Sequence, residues 1–189
     1  MAIIGRLLRN RRAAPEDLAW CRPNLAAGDV FEVTSTDFEH EAALDVRHAM
    51  KRVGGQDLSP ALAWSGVPAD TAQLLLVVED QDAPFGGPFV HALALLDPKI
   101  NELPSGALAS GSTIDGVEVL RSSWGRGYLG PGPVPGHGPH RYVFQVFALT
   151  EPVTIPGGGG APESAKPRAV LAAARAHARG RIDGFYERP

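Results

Sequence analysis

Beyond Pro23 the chain runs as short apolar stretches separated by glycine, proline and acidic turns, the pattern of a mainly β domain. Phe31-Glu32-Val33-Thr34-Ser35 alternates apolar and polar residues, as a strand with one covered face does. Leu74–Val78 is apolar at every position and predicts a central strand buried on both faces. Phe89–Leu96 and Tyr142–Leu149 supply two further strands of similar length, so packed antiparallel sheets are expected. Arg168–Arg179 is alanine-rich, carries Val170, Leu171, Ala174 and Ala178 at helical spacing, and is followed by Gly180 as a stop; this predicts one C-terminal helix. Glu151–Pro162, centred on Gly157–Gly160, has no periodicity and reads as a mobile surface connector. The fold class expected from this pattern is mainly β, packed antiparallel sheets with a C-terminal helix.

A chain of 189 residues is long enough for one domain with a real core, read here as 23–189 behind an N-terminal basic arm, 1–22. Apolar residues at 44% and charged residues at 21% are ordinary for a globular protein, and a net charge of −3 argues against a general nucleic-acid binder. The lone Cys21 excludes an internal disulfide and a cysteine-rich metal site, and fits a reducing, cytoplasmic setting. The start, Met1 to Arg12, places basic residues after apolar ones without an apolar run of signal-peptide length, and no segment approaches the ~20 apolar residues that span a bilayer. It reads as a short helix or arm packed on the domain, with peripheral contact to an anionic membrane as the alternative. Open sheet edges leave room for a homodimer.

The candidate chemistry is concentrated in Gly130–Tyr142, where rigid turns, bare backbone donors and ionisable side chains precede an apolar strand. Glycine lets a ligand approach the main chain, and proline fixes φ and removes a donor. Within Gly130–Pro135 only Gly130, Gly132 and Val134 can donate, which suits a selective anion pocket. Alternate residues of an extended chain share a side, so His140 pairs with Tyr142, and Asp80 with Asp82. The same rule puts His91 in phase with Phe89 and Leu93.

These stretches resemble the signature of the phosphatidylethanolamine-binding protein family, which includes the Raf kinase inhibitor protein and small bacterial relatives. Asp57-Leu58-Ser59-Pro60-Ala61-Leu62-Ala63-Trp64, Asp80-Gln81-Asp82-Ala83-Pro84 with Phe89-Val90-His91 after it, the Gly130–Tyr142 segment and the terminal Gly184-Phe185-Tyr186-Glu187-Arg188 stand in the family's order. The resemblance implies a large β-sandwich with peripheral helices, the last covering one side of a small cavity. Carried over residue by residue, it nominates Asp80, Asp82, His91, Gly130, Gly132, His140 and Tyr142 as ligand-binding, with Tyr186 as a lid. It also implies a binding or regulatory protein, not an enzyme, for a phosphate-like, carboxylate-like or zwitterionic group such as phosphoethanolamine, acting with or without a protein partner and needing no cofactor. Three departures bear on the cavity: Gln81 stands for a proline, Ala92 for a tryptophan that many bacterial members carry, and Arg121–Gly125 for an Asn-containing stretch.

Other readings of the same residues stay open at this level. A hydrolase could use His140 or His91 as general base, oriented by Asp80 or Asp82, but no Gly-x-Ser-x-Gly elbow occurs and Ser59 before a proline reads as a turn residue. Two histidines and two aspartates could hold zinc, although the spacing of a metal motif is missing and no metal is expected. Two carboxylates beside an anion would oppose it unless offset by a shared proton, a protonated His91 or His140, or an ammonium on the ligand. His137 reads as a solvated turn residue, Arg141 as a loop anchor facing away from His140, and Trp64, Trp124 and Phe144 as packing residues.

Overall fold

Leu74–Val78 splits its side chains between two separate cores. In the computed structural model, which describes residues 2–84, 86–155 and 161–188, Leu74, Leu76 and Val78 enter one apolar cluster while Leu75 and Val77 enter another. A strand flanked on both sides has no face for polar residues, which is why the run is unbroken.

The elements in chain order are helix α1 (Ala2–Leu8), strands β1 (Asp29–Val30), β2 (Glu32–Thr34), β3 (Ala42–Ala43), β4 (Leu62–Ser65), β5 (Gln73–Asp80), β6 (Phe89–Leu96), β7 (Glu102–Leu103), β8 (Val117–Val119), β9 (Arg121–Ser122), β10 (Gly125–Arg126) and β11 (His140–Leu149), helix α2 (Pro167–Ala173) and strand β12 (Ala176–Tyr186). Among the described residues the main sheet runs β1-β12-β11-β5-β6-β8, with β3 also on β12. The long neighbours are antiparallel, and only the short β1 and β3 lie parallel to β12. A second sheet, β2-β4-β7, covers one face of the first and brings Val33, Leu62, Trp64 and Leu103 into the core with Leu76 and Phe144. The other face is covered by α2 through Val170 and Leu171, and by Ala19 and Leu25 from the stretch before β1. The expected antiparallel sandwich with peripheral helices, one of them near the C-terminus, is the observed architecture.

The C-terminal helix is shorter than its periodicity predicts. It stops at Ala173, and Ala176–Tyr186 is a strand paired with β11 along its length. Helical spacing in an alanine-rich stretch is a weak preference that tertiary contacts override. Here Asn24 Nδ2 donates to the Leu171 and Ala174 carbonyls at 2.7 and 2.8 Å, and Ala176 N–H donates to the Asn24 carbonyl, which turns the chain out of the helix and into the sheet. Gly180 is therefore not a helix stop. It lies mid-strand, where a Cβ would stand 2.6 Å from the Phe31 carbonyl oxygen and 2.7 Å from Val33 Cγ2. Of the connector expected over Glu151–Pro162, residues 156–160 lie outside the described residues. Before them, Val153 is buried and its N–H donates to Gln73 Oε1.

The N-terminal stretch lies on the glycine-proline loop. Gly5 sits against the backbone of Pro135–His137 with no room for a Cβ, while Ile3, Ile4 and Leu7 face outward. No helix of the described residues is long and apolar enough to cross a membrane.

Candidate functional site

β5 and β11 pair with Asp80 opposite Tyr142, and β11 begins at His140, so strand alternation puts His140, Tyr142 and Asp80 at one end of the same sheet face. His91 reaches that face by a different route. The pairing of β5 with β6 shifts between Val78 and Glu79, which oppose Ala92 and Val90, leaving His91 as the extra residue of a bulge. Val90 and Leu93 pack in the core beneath α2, whereas the His91 ring meets Tyr142 edge-on at 5.1 Å and Phe89 at 4.8 Å. Plain alternation put His91 in phase with Leu93; the bulge turns it to the opposite face.

Asp80, His91, Gly132, His140 and Tyr142 line a cavity of about 200 Å3 whose outer walls are Met50, Arg52, Ala83, Pro84, Phe89, Trp124, Pro133 and Val134. Trp124, expected as a packing residue, is 64% exposed, and the Arg52 guanidinium stacks over it at 5.2 Å. The sequence does not mark Arg52 as its neighbour, because the β9–β10 hairpin and the turn after Met50 meet only in the folded chain. Trp64 and Phe144 are buried packing residues, as expected.

Three nominated residues are not on the cavity wall. Gly130 is buried behind it, with its N–H donated to Asp57 Oδ1 at 2.9 Å and its Cα against the His48 and Ala49 backbone, so that donor is spent on the fold. Asp82 turns aside: Oδ2 accepts the Arg141 N–H at 2.7 Å and Oδ1 pairs with Arg12 at 2.5 Å. Tyr186 lies opposite His140 on β12 and packs, half buried, on the core between the two sheets. Helix α2 also lies elsewhere, on the far side of the main sheet. Ala92 is fully buried in the sandwich core and does not line the cavity. Gln81 donates its N–H to the Arg141 carbonyl, a bond that a proline could not make.

The groups at the base are linked in a chain of short contacts. Asp80 Oδ1 accepts the Asp82 N–H at 2.8 Å, holding the turn, and Oδ2 meets His140 Nδ1 at 2.8 Å. His140 Nε2 lies 2.7 Å from His137 Nδ1, and His137 Nε2 faces the Leu8 and Arg11 carbonyls at 2.8 and 3.1 Å. His137 is thus 2% exposed and part of the site's foundation, not a solvated turn residue. Its burial depends on the N-terminal arm, a contact across more than 120 residues that no local signal announces. Carbonyls only accept, so His137 Nε2 carries hydrogen, and each of the two remaining links needs one more. Asp80 is bonded to His140, and Asp82 to Arg12 and the Arg141 N–H, so the two carboxylates do not share a proton with each other. Arg141 faces away from His140, as expected, and bonds Glu41 and Asp183.

What remains free to meet a ligand is a short set. His91 Nδ1 donates to the Leu129 carbonyl at 2.5 Å, which leaves Nε2 as an acceptor. Burial lowers the pKa of His91 below the usual histidine value, against the pull of the Asp80 charge, and this favours the neutral ring. Tyr142 is 1% exposed and its hydroxyl has no hydrogen-bond partner of normal geometry among the described residues, although the Gly132 N–H lies beside it. Burial, with the Asp80 charge, raises its pKa well above the phenol value, so it remains an O–H donor. Ser59 is closed off, its Oγ accepting the Leu108 N–H. Among the described residues no group of three His, Cys, Asp or Glu is placed to hold a metal ion.

Residues 34–187 match the model of the family described as Phosphatidylethanolamine-binding protein. The chain belongs to that family. Its relatives include the UPF0098 protein of Aquifex aeolicus, 32% identical over 86% of this chain and 92% of that protein. Another is the candidate lipoprotein LppC of Mycobacterium tuberculosis, 34% identical over 84% and 75%. The crystal structure of Escherichia coli YbcL, described as a new member of the mammalian PEBP family, superimposes with a TM-score of 0.74 at 29% identity, covering 84% of this chain and 99% of that one. The family range begins at β2, so α1 and the arm that supports His137 lie outside it.

Proposed function

We propose that this phosphatidylethanolamine-binding protein family member is a binding protein whose cavity over Asp80, His91, Gly132, His140 and Tyr142 takes a small anionic or zwitterionic group, with phosphoethanolamine as the reference ligand. The observation that carries the reading is the buried Tyr142 hydroxyl, which has no hydrogen-bond partner of normal geometry among the described residues, since a buried polar group left unpaired costs about 1–3 kcal/mol and a ligand oxygen would satisfy it. The Gly132 N–H and the Arg52 guanidinium add donors for the same anionic group, and neutral His91 Nε2 accepts from an ammonium or a phosphate O–H. A ligand carrying both signs suits this mixture of donors and acceptors. Asp82, Gly130 and Tyr186 act in support, by holding the Arg141 turn, the loop and the β11–β12 edge.

Hydrolysis with His140 as the general base fits less well. Both ring nitrogens of His140 are engaged, so the imidazole has no free site for a nucleophile's proton. We place the protein in the cytoplasm on the lone Cys21; LppC, named as a candidate lipoprotein, marks the membrane-attached alternative that cell fractionation distinguishes.

Titration with phosphoethanolamine should raise the melting temperature, more at pH 6 than at pH 8, because the singly protonated phosphate can donate to His91. Tyr142→Phe should remove most of the rise while leaving the unliganded Tm within a few degrees. A flat response of the unmodified chain at both pH values would sink the reading.

A further inference from the structure

Glu79 and Asp80 are adjacent on β5 and face opposite sides of the main sheet, and each opens onto its own cavity. The cavity on the Glu79 side, about 420 Å3, lies between the start of β6, strand β9 and α2, on the face away from His91. Four cations, Arg22, Arg121, Lys166 and Arg168, stand around it against two carboxylates, Asp17 and Glu79, in a chain whose net charge is −3. Among the described residues none of those four cations forms an ion pair, whereas other arginines of the chain do. Unpaired cations gathered round one concavity in an acidic protein are a field for a dianion.

Two buried polar atoms at this cavity also lack partners. Ser122, 4% exposed, has an Oγ with no hydrogen bond among the described residues, and so has Arg22 Nε. Buried hydroxyl and guanidinium donors are almost always satisfied, and their vacancy here marks where an acceptor belongs. Glu79 is also buried, with Oε2 taken by the Ala19 N–H and the Gln145 amide. Burial raises its pKa against the opposing influence of those bonds and of the nearby Arg22 and Arg168, so the carboxyl can meet a hydroxyl or amine without repelling an anion strongly.

We propose that this second cavity binds a small phosphomonoester, its phosphate held by Arg22, Arg121, Lys166, Arg168 and the Ser122 hydroxyl, and a hydroxyl of its organic part held by Glu79. Three of the four cations are arginines, whose planar fork matches phosphate oxygens two at a time. The volume admits a phosphate with a short polyol, and the surplus of positive side chains suits a dianion. The site is independent of the cavity over Asp80, which lies across the sheet and keeps its own donors.

The test uses glycerol 3-phosphate, inorganic phosphate and succinate, followed by calorimetry and by amide NMR shifts, on the full chain carrying Tyr142→Phe so that the first cavity is weakened. Glycerol 3-phosphate should saturate one site, shift the Gly87, Ser122 and Ser123 amides, and bind more tightly than either phosphate or succinate. Arg121→Ser with Lys166→Ser, both exposed positions, should weaken it at least tenfold with an unchanged Tm, while the swap Arg121→Lys with Lys166→Arg should keep it. Binding that does not saturate, shifts confined to the Asp80 side, equal affinity for succinate, or indifference to the double serine variant would each overturn the proposal.

Discussion

His140 Nε2 and His137 Nδ1 are 2.7 Å apart, and the far nitrogen of His137 meets the carbonyls of Leu8, the last residue of α1, and of Arg11 just beyond it. The N-terminal arm is thereby tied through one imidazole to the residue that anchors Asp80. Arg12, by pairing with Asp82, ties it a second time.

Replacing His137 should therefore loosen both ends of this link. His137→Ala leaves His140 Nε2 and two carbonyls without their partner, and should cost about 1–3 kcal/mol of stability. Arg12→Ala removes a half-exposed ion pair and should cost no more than about 1 kcal/mol. Amide exchange across residues 2–12 should accelerate in both variants, and more in His137→Ala. Protection unchanged in both would show that the arm is held by other contacts.

The His91 ring gives acid conditions a specific effect. Its pKa is lowered by burial in the folded chain, so below the ordinary histidine value the unfolded chain takes up a proton that the folded one resists. Its contribution to stability is present above pH ~6.5 and is lost as pH falls from there toward the lowered folded value. His91→Gln, which keeps an amide donor for the Leu129 carbonyl, should flatten the urea-melt stability between pH 7.5 and 5. A slope as steep as that of the parent chain would assign the acid sensitivity to other groups.

Glu79 should act in the opposite sense. With its pKa raised by burial, the folded chain holds a proton there that the unfolded chain has released, so stability declines as pH rises from ~4.5 through the raised value. Glu79→Gln can still accept from the Ala19 N–H, carries no charge, and should be the more stable protein at pH 8 by on the order of 1 kcal/mol. Denaturant melts of the two chains at pH 5 and pH 8 measure the difference, and a parent chain more stable than the variant at pH 8 contradicts it.

Gly180 tests the corrected C-terminus. Added methyl volume there meets Phe31 backbone and Val33, neither at the end of a flexible side chain, so Gly180→Ala should destabilise the protein by about 1–3 kcal/mol. A helix-capping glycine in an exposed position would show a much smaller loss. Thermal melts of the variant separate the two.

The apolar runs at Leu74–Val78, Phe89–Leu96 and Tyr142–Leu149 could be read directly as strands, because burial on one or both faces is written into every residue of such a run. The same holds for His140 beside Tyr142, where a spacing of two on an extended chain fixes a shared side, and for the motifs that carry the family resemblance. Other features exist only between distant segments. Asn24 ends α2 from more than 140 residues away, and the one-residue slip between β5 and β6 turns His91 from one core to the other cavity. The arm buries His137, and Asp57 takes the Gly130 donor that local reading left free. Alternation and periodicity describe what one segment prefers, but a hydrogen bond or a bulge is decided by what a second segment brings to it, and that partner has no mark in the local pattern.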